Sequence, residues 1–384
     1  MFIVIHYSEI GTKGKNRIIF EKRLAQNILE ALPGKNRVLR RYGRIIAEVF
    51  SPRQNEGLLI GILEKIPGIA NFSFAEKAKL DIADIKKKII ALAGSKRFST
   101  FSVSASRSNK SFLYNSSQIS VILGDLIRKK LKKKVDLEHP DLTFRVEVGE
   151  KEAFIYCQKQ PGISGLPVGI SGKAVVSLSG GIDSPVASFM AMKRGLRVVL
   201  VHFFNDTLMG GRQRTSKIRK IAEELAKFQG RTKLCIVPFS GIQKVIIRQI
   251  PADYRMIIYR RFMMRIISRI GLLERAEGIV TGDSVGQVAS QTLPNLGCIY
   301  RAANLPVLPP LIGMNKEEII GIAKKIGTYD ISITPYPDCC SFMIAKHPET
   351  NGQIYEIEKL EGAIKNKNAL INKCVKESKV EIFD

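Results

Sequence analysis

The chain has no tryptophan, and its six cysteines are scattered over 384 residues without one Cys-x-x-Cys pair. The usual spacing of a zinc or iron–sulfur site is therefore missing, and no metal cluster is expected. In a compartment that keeps thiols reduced, such cysteines read as buried, redox-active or nucleophilic rather than as disulfide partners. No apolar run approaches the roughly 18 residues of a membrane-spanning helix, so no membrane partner is expected. The apolar opening at 1–5 is followed by His6, Glu9, Lys13 and Lys15, too soon for a signal-peptide core, and the expected setting is cytoplasmic. Acid is the remaining scarcity. Against 61 Lys and Arg stand only 35 Asp and Glu, a net charge of +26, more than solubility needs. Such a field draws polyanions over a Debye length of about 8 Å at physiological salt, which makes nucleic acid the first candidate. The competing reading is the lysine and isoleucine enrichment of a thermophile or a biased genome.

With 45% hydrophobic and 25% charged residues the composition is globular. The length exceeds the roughly 250 to 300 residues at which a single core stops growing. The expected units are 1–75, 76–165, a linker at 166–172 holding Pro167, Gly169 and Gly172, and 173–384. The first reads as a small α+β unit. It has a strand at 2–5, a helix at 18–32 ended by Pro33-Gly34, strands within 38–50, a helix at 57–66 stopped by Pro67-Gly68, and a strand at 69–75. Its polar positions carry Lys13, Lys15, Arg17, Arg40 and Arg41. In the second, a helix at 82–93 precedes a strand at 98–104, and Ser116 or Ser117 caps a helix whose stripe is Ile119, Ile122, Leu123, Leu126 and Ile127. That helix ends in Arg128, Lys129, Lys130, Lys132, Lys133 and Lys134. The helix dipole rewards an end cation by about 0.3 to 1 kcal/mol. Six cations in seven positions exceed that need and favour an RNA backbone contact. From 173 onward buried-type strands alternate with amphipathic helices, the pattern of an α/β, doubly wound parallel sheet.

The strand at 174–178 runs into Ser179-Gly180-Gly181-Ile182-Asp183-Ser184, and Pro185 opens a helix. The glycines let backbone N–H groups approach a phosphate, Ser179 and Ser184 add hydroxyl donors, and the helix N-terminus contributes about half a positive charge. The Gly-Lys-Ser/Thr ending of a Walker loop is absent. Asp183 suits either a helix cap or the surroundings of a Mg²⁺-bound pyrophosphate. The string resembles the pyrophosphate loop of the adenine-nucleotide α-hydrolase group, whose members bind ATP and attack its α-phosphate.

The resemblance narrows further. Residues 165–169 (Gly-Leu-Pro-Val-Gly), 182–187 and 282–292 (Gly-Asp-Ser-Val-Gly-Gln-Val-Ala-Ser-Gln-Thr) are similar to the tRNA 4-thiouridine synthetase family over essentially the whole chain. Tyr7-Ser8-Glu9-Ile10 with residues 13–17 resembles that family's ferredoxin-like domain, and 101–112, with Arg107 and Lys110, its tRNA-binding THUMP domain. The family implies a ferredoxin-like domain over 1–75, a THUMP domain over 76–165 and a PP-loop ATP pyrophosphatase domain over 173–384. It implies ATP and Mg²⁺, tRNA, a cysteine desulfurase as persulfide donor and a homodimer, with sulfur transfer for thiamine thiazole synthesis in some members. Carried onto this sequence, nucleotide contacts fall on Leu178, Ser179, Gly180, Gly181, Asp183, Ser184, His202, Phe203, Arg261, Gly282, Asp283 and Gln291, and Lys316 stabilises the phosphates.

The same resemblance implies that uridine at tRNA position 8 is adenylated and then attacked by sulfur carried as a cysteine persulfide. Cys340, in Pro335-Tyr336-Pro337-Asp338-Cys339-Cys340, aligns with the catalytic cysteine. Activated C4 needs a soft deprotonated nucleophile, and neighbouring cations lower a thiol's pKa. Cys339, Cys298, Cys235 or an external reductant remains open as the resolving thiol, while Cys157 and Cys374 read as structural. The chain departs from part of the family by ending at Asp384 without a rhodanese-like domain, by Asn205-Asp206-Thr207 after the strand, and by Asp283 where Glu is commoner. Two other readings compete: a PP-loop enzyme modifying a different nucleoside or a small carboxylate, and an RNA-binding module whose nucleotide site senses ATP.

Overall fold

In the computed structural model, which describes residues 1–50, 55–205, 215–335, 345 and 347–384, the chain forms two compact units, Met1–Pro167 and Val168–Asp384. The first contains β1 (Phe2–His6), α1 (Arg17–Ala31), β2 (Asn36–Arg41), β3 (Arg44–Val49), α2 (Glu56–Leu63), β4 (Asn71–Ala78), α3 (Ile82–Gly94), β5 (Thr100–Arg107), α4 (Ser116–Leu131), β6 (Lys134–Val135), β7 (Leu142–Val148), β8 (Ala153–Tyr156) and β9 (Gln160–Pro161). One sheet runs β2-β3-β1-β4-β8-β7-β5-β6, with β9 on β4. The lower half of β4 pairs with β1, from Asn71↔His6 to Ala75↔Phe2, and its upper half with β8, from Glu76↔Ile155 to Ala78↔Ala153. The border expected between 75 and 76 therefore lies inside one strand. Two cores hang on this sheet, one around Ile3, Leu24, Ile28 and Phe72, the other around Ile89, Ile119, Leu123 and Phe144.

On β7 Glu147 stands between the core residues Val146 and Val148 and so on the other face of the sheet, where it is buried, accepting hydrogen bonds from the Arg44 guanidinium and the Tyr156 hydroxyl, with His6 Nε2 at 3.0 Å. Burial alone would raise its carboxyl. The hydrogen bond and charge of His6, the charge of Arg44 and the Tyr156 hydroxyl outweigh that and hold it down to about 2. The cap of α4 differs from expectation. Asn115 accepts from Gln118 N at 2.8 Å while Gln118 Oε1 accepts from Asn115 N at 2.9 Å. The short Asn amide and the Gln at the third helical position close both bonds of a capping box, so the serines that follow are already helical.

The second unit contains β10 (Lys173–Ser177), α5 (Asp183–Lys193), β11 (Arg197–Phe204), α6 (Ser216–Gln229), β12 (Thr232–Pro238), α7 (Ser240–Gln249), α8 (Arg255–Leu273), β13 (Gly278–Val280), α9 (Leu293–Tyr300), β14 (Val307–Leu308), α10 (Lys316–Lys325), α11 (Tyr329–Ser332), α12 (Ile354–Gly362), α13 (Lys367–Lys376) and β15 (Lys379–Phe383). Its sheet runs β14-β13-β10-β11-β12-β15. All pairings are parallel except β12 with β15, an antiparallel edge. From β10 the chain steps outward through β11 and β12, then returns to lay β13 on the opposite side of β10. The order reverses between β10 and β13, and in open α/β sheets ligands bind beyond the strand ends at that switch point.

Candidate nucleotide site

The phosphate loop is the turn between β10 and α5, at that reversal. It is braced from within: Ser184 Oγ accepts from Ser179 N at 2.8 Å and lies 3.1 Å from Ser179 Oγ, which accepts from Gly181 N at 3.3 Å. The two hydroxyls expected as phosphate donors thus shape the turn. Gly282, just past β13, closes the other side. A Cβ there would stand 2.8 Å from Ser184 N and 3.0 Å from the Asp183 carbonyl carbon, so only glycine lets the end of β13 approach the start of α5 this closely.

A cavity of about 470 Å³ opens at this junction, within the roughly 300 to 1,000 Å³ of small-molecule sites. Leu178, Ser179, Asp183, Ser184, His202, Phe203, Gly282, Asp283 and Gln291 all line it, bringing together nine expected nucleotide-contact residues from four stretches of sequence. Gly180 and Gly181 form the adjoining turn. Leu178, Phe203, Met256, Ile257, Met263 and Met264 make an apolar wall suited to a flat base. His202 is fixed through Nδ1 to the Leu178 carbonyl at 2.9 Å.

On the same face of α8 as Met256, Ile257, Met263 and Met264, Arg260 brings a charged cluster into the cavity. Arg260 donates to both Asp283 oxygens at 2.7 and 2.8 Å, Gln291 Nε2 to Oδ1 at 3.1 Å and the Tyr300 hydroxyl to Oδ2 at 2.8 Å. Burial would raise the Asp283 carboxyl, but the Arg260 charge and the hydrogen bonds of Tyr300, Thr281 and Arg260 bring it below the ordinary value. Among the described residues Gln291 Oε1 is buried without a hydrogen-bond partner, an acceptor left for a ligand N–H. Asp183 is the first residue of α5 rather than its cap. Its carboxylate receives Lys316 Nζ at 2.6 Å and Gln287 Nε2 at 2.8 Å, so Lys316, from the start of α10, stands beside the phosphate loop.

Arg261 does not join them. It is 1% exposed and turned into the core, where its Nε and Nη2 reach Glu361 Oε2 at 3.0 and 2.7 Å. Consecutive helical residues lie about 100° apart, so only one of this Arg pair faces the cavity, and it is Arg260. Sequence reading also missed Lys217 and Asn295. Lys217 Nζ holds the carbonyls of Ser332 and Thr334 at 2.7 and 2.8 Å. Asn295, fully buried, donates to the carbonyls of Ala289 and Glu349 at 2.9 and 2.8 Å and accepts from Gly352 N at 3.0 Å. It ties together two segments of the cavity wall. No sequence pattern marks either residue, because every partner is distant along the chain or a backbone atom. Cys340 and Cys339 lie outside the described residues. Cys298 and Cys235 are buried, their thiols pushed up by desolvation, Cys235 to about 11. Among the described residues no group of three or more His, Cys, Asp or Glu is placed to hold a metal.

The basic residues of the first unit are varied in placement. Lys129, Lys130 and Lys132 are exposed at the end of α4. Arg128 pairs with Asp125 at 3.0 Å, and Lys133 lies 5.3 Å from the Phe98 ring centroid. Arg107 donates to the carbonyls of Lys110 and Phe112 at 3.1 and 3.0 Å, bracing the turn on which Lys110 is exposed. Lys13 lies 5.4 Å from the Phe20 ring centroid, Lys15 is exposed, and Arg17 pairs with Glu21.

Comparison with known proteins agrees over the full length. Residues 2–73 match the ThiI ferredoxin-like domain, 79–158 the THUMP domain and 169–366 the thiamine biosynthesis protein (ThiI) family. Relatives named "Probable tRNA sulfurtransferase" include one from Moorella thermoacetica, 39% identical over 94% of this chain and 92% of its own, and one from Geobacillus kaustophilus, 39% identical over 100% and 96%. A solved 4-thiouridine synthetase–RNA complex with bound ATP superposes with a TM-score of 0.90 at 37% identity, covering 100% of this chain and 99% of that one. PH1313 from Pyrococcus horikoshii shares the fold, with a TM-score of 0.65 at 24% identity over 85% and 99%. With its three matched segments in this order and relatives of this identity along its whole length, the chain belongs to the tRNA sulfurtransferase (ThiI) family.

Proposed function

We propose that the chain thiolates tRNA at the expense of ATP, converting uridine at position 8 to 4-thiouridine. The observation that carries this is the switch-point cavity, where the phosphate loop, its Asp183 holding Lys316, meets an apolar wall that also carries Arg260. ATP supplies the adenyl group that turns the uridine C4 oxygen into a leaving group. Backbone N–H groups at the start of α5 and the Lys316 ammonium hold the phosphates, and Asp183 keeps Lys316 in place. The apolar wall takes the base, and Gln291 Oε1 accepts from it. The donor set also fits Mg²⁺ carried mainly by the phosphates, because Asp183 is a single carboxylate beside them and Mg²⁺ sites with nucleotides use one or two.

In the second half-reaction the terminal sulfur of a Cys340 persulfide attacks C4, and AMP departs with the former C4 oxygen. A second thiolate attacks the Cys340 sulfur of the disulfide left with the uridine, forming a new disulfide with Cys340 and releasing 4-thiouridine as its thiolate. The buried, raised thiols of Cys298 and Cys235 leave Cys339 or an external thiol for that step. With this reading go a cysteine desulfurase as persulfide donor, a homodimer and a cytoplasmic setting. The basic first unit favours an RNA substrate over a small carboxylate. Cys340→Ala should retain tRNA-dependent pyrophosphate release yet form no 4-thiouridine; undiminished thiolation by that variant with a persulfide donor would overturn the assignment of Cys340.

A further inference from the structure

At the tip of the β2–β3 hairpin stands Tyr42, 73% exposed, beside Gly43, whose φ of +77° makes the tight turn. The Arg17 guanidinium lies 5.3 Å from the Tyr42 ring centroid, covering one ring face and leaving the rest to solvent. Arg17 is itself fixed. Its Nε donates to Glu21 at 2.8 Å and its Nη2 to the Tyr7 hydroxyl at 2.6 Å, while that hydroxyl donates to the buried Glu21. Arg40 lies 3.8 Å from the other Glu21 oxygen. The hairpin is stapled to the β7–β8 turn by Arg41, whose Nη2 is 2.9 Å from Glu152 Oε1. Around this frame is a concavity of about 500 Å³, into which Lys15, Arg40 and Lys151 also face. Lys15 and Lys151 are exposed and have no ion-pair partner among the described residues.

We propose that this concavity is a binding subsite for one unpaired RNA nucleotide, its base stacked on Tyr42 and its phosphate between Lys15 and Lys151. This rests on the RNA-binding reading of the first unit and makes it specific. Two features point to an unpaired nucleotide. An open tyrosine face serves only a base free of its own stack, and a recess of one-nucleotide size excludes a duplex, whose paired bases cannot enter it. The exposed lysines ending α4 are, by contrast, suited to phosphates of either form. Glu21 prepares the site by holding Arg17 against the ring before RNA arrives, so little is lost in ordering it.

The test uses the full-length protein and compares binding of a single-stranded RNA oligonucleotide with that of a blunt RNA duplex of equal phosphate number. Tyr42→Ala should weaken the single strand about tenfold or more, leave the duplex within twofold, and keep the thermal midpoint, since the ring is exposed. Tyr42→Phe should bind like the parent. Lys151→Ala should weaken the single strand and reduce the slope of log affinity against log salt by about one. Single-strand affinity unchanged in Tyr42→Ala, or duplex binding weakened equally, would overturn the subsite. Failure of the parent protein to bind tRNA or either oligonucleotide would instead overturn the RNA reading beneath it.

Discussion

Replacing Gly282 by alanine tests whether the nucleotide site depends on the meeting of β13 with the phosphate loop. The added Cβ would face only backbone: Ser184 N at 2.8 Å, the Asp183 carbonyl carbon at 3.0 Å and Ser184 Cα at 3.0 Å. No side chain there can rotate away. Ordinary carbon contacts begin at about 3.5 Å, so the loop must withdraw by roughly half an ångström. Overpacking of this kind costs about 1 to 3 kcal/mol, tolerable for a unit of this size. The functional cost is larger in proportion, because Ser184 N belongs to the helix start that would cradle the phosphates. A misplacement of 1 Å costs about a hundredfold in a positioned reaction, and half of it about tenfold. The assay is tRNA-dependent pyrophosphate release against ATP concentration, with thermal denaturation alongside. Gly282→Ala should lower kcat/KM for ATP about tenfold while remaining folded. Gly297→Ala, where a Cβ meets nothing within 4 Å, should match the parent. Gly282→Ala kinetics within twofold of the parent, in a folded protein, would refute the reasoning.

Two further substitutions separate neighbouring roles. Arg260→Ala should raise KM for ATP as well as lower stability, since the buried Asp283 keeps only Gln291 and Tyr300, whereas Arg261→Ala should lower stability by about 3 kcal/mol, Glu361 keeping Arg265, and leave KM for ATP unchanged. Denaturation midpoints and KM values read together check this, and the opposite pattern would return Arg261 to the nucleotide. The depressed Glu147 carboxyl makes stability depend on acid. A carboxylate held down to about 2 when folded contributes fully above the unfolded value near 4.5 and loses that contribution as pH falls toward 2. Between pH 5 and pH 3, urea midpoints of the parent should therefore fall further than those of Glu147→Gln, and equal losses would contradict the linkage.

What could be read from sequence follows how local each signal is. The phosphate loop was legible because its strand, turn and helix are contiguous, and the helices of both units fell near their expected bounds because their apolar stripes repeat within a few residues. The border expected at 75 falls between the matched segments 2–73 and 79–158, yet β4 runs unbroken across it and exchanges partners midway, a change of pairing that leaves no mark on one strand's own composition. The antiparallel edge strand β15 was not foreseen, being short and half exposed. Choosing between Arg260 and Arg261 required knowing that Glu361, a hundred residues on, waits in the core. The placement of Lys316 came from family resemblance. Nothing in its own neighbourhood distinguishes it from an ordinary exposed lysine at a helix start, and its partner Asp183 lies 133 residues away.

The central claim is tRNA thiolation driven by ATP, and mass spectrometry of tRNA nucleosides tests it most directly. Unmodified tRNA incubated with the protein, ATP, Mg²⁺ and a persulfide source should gain 4-thiouridine at position 8, with matching AMP and pyrophosphate, and none when ATP is omitted. Pyrophosphate release with no thiolated nucleoside, or 4-thiouridine formed equally without ATP, would contradict it.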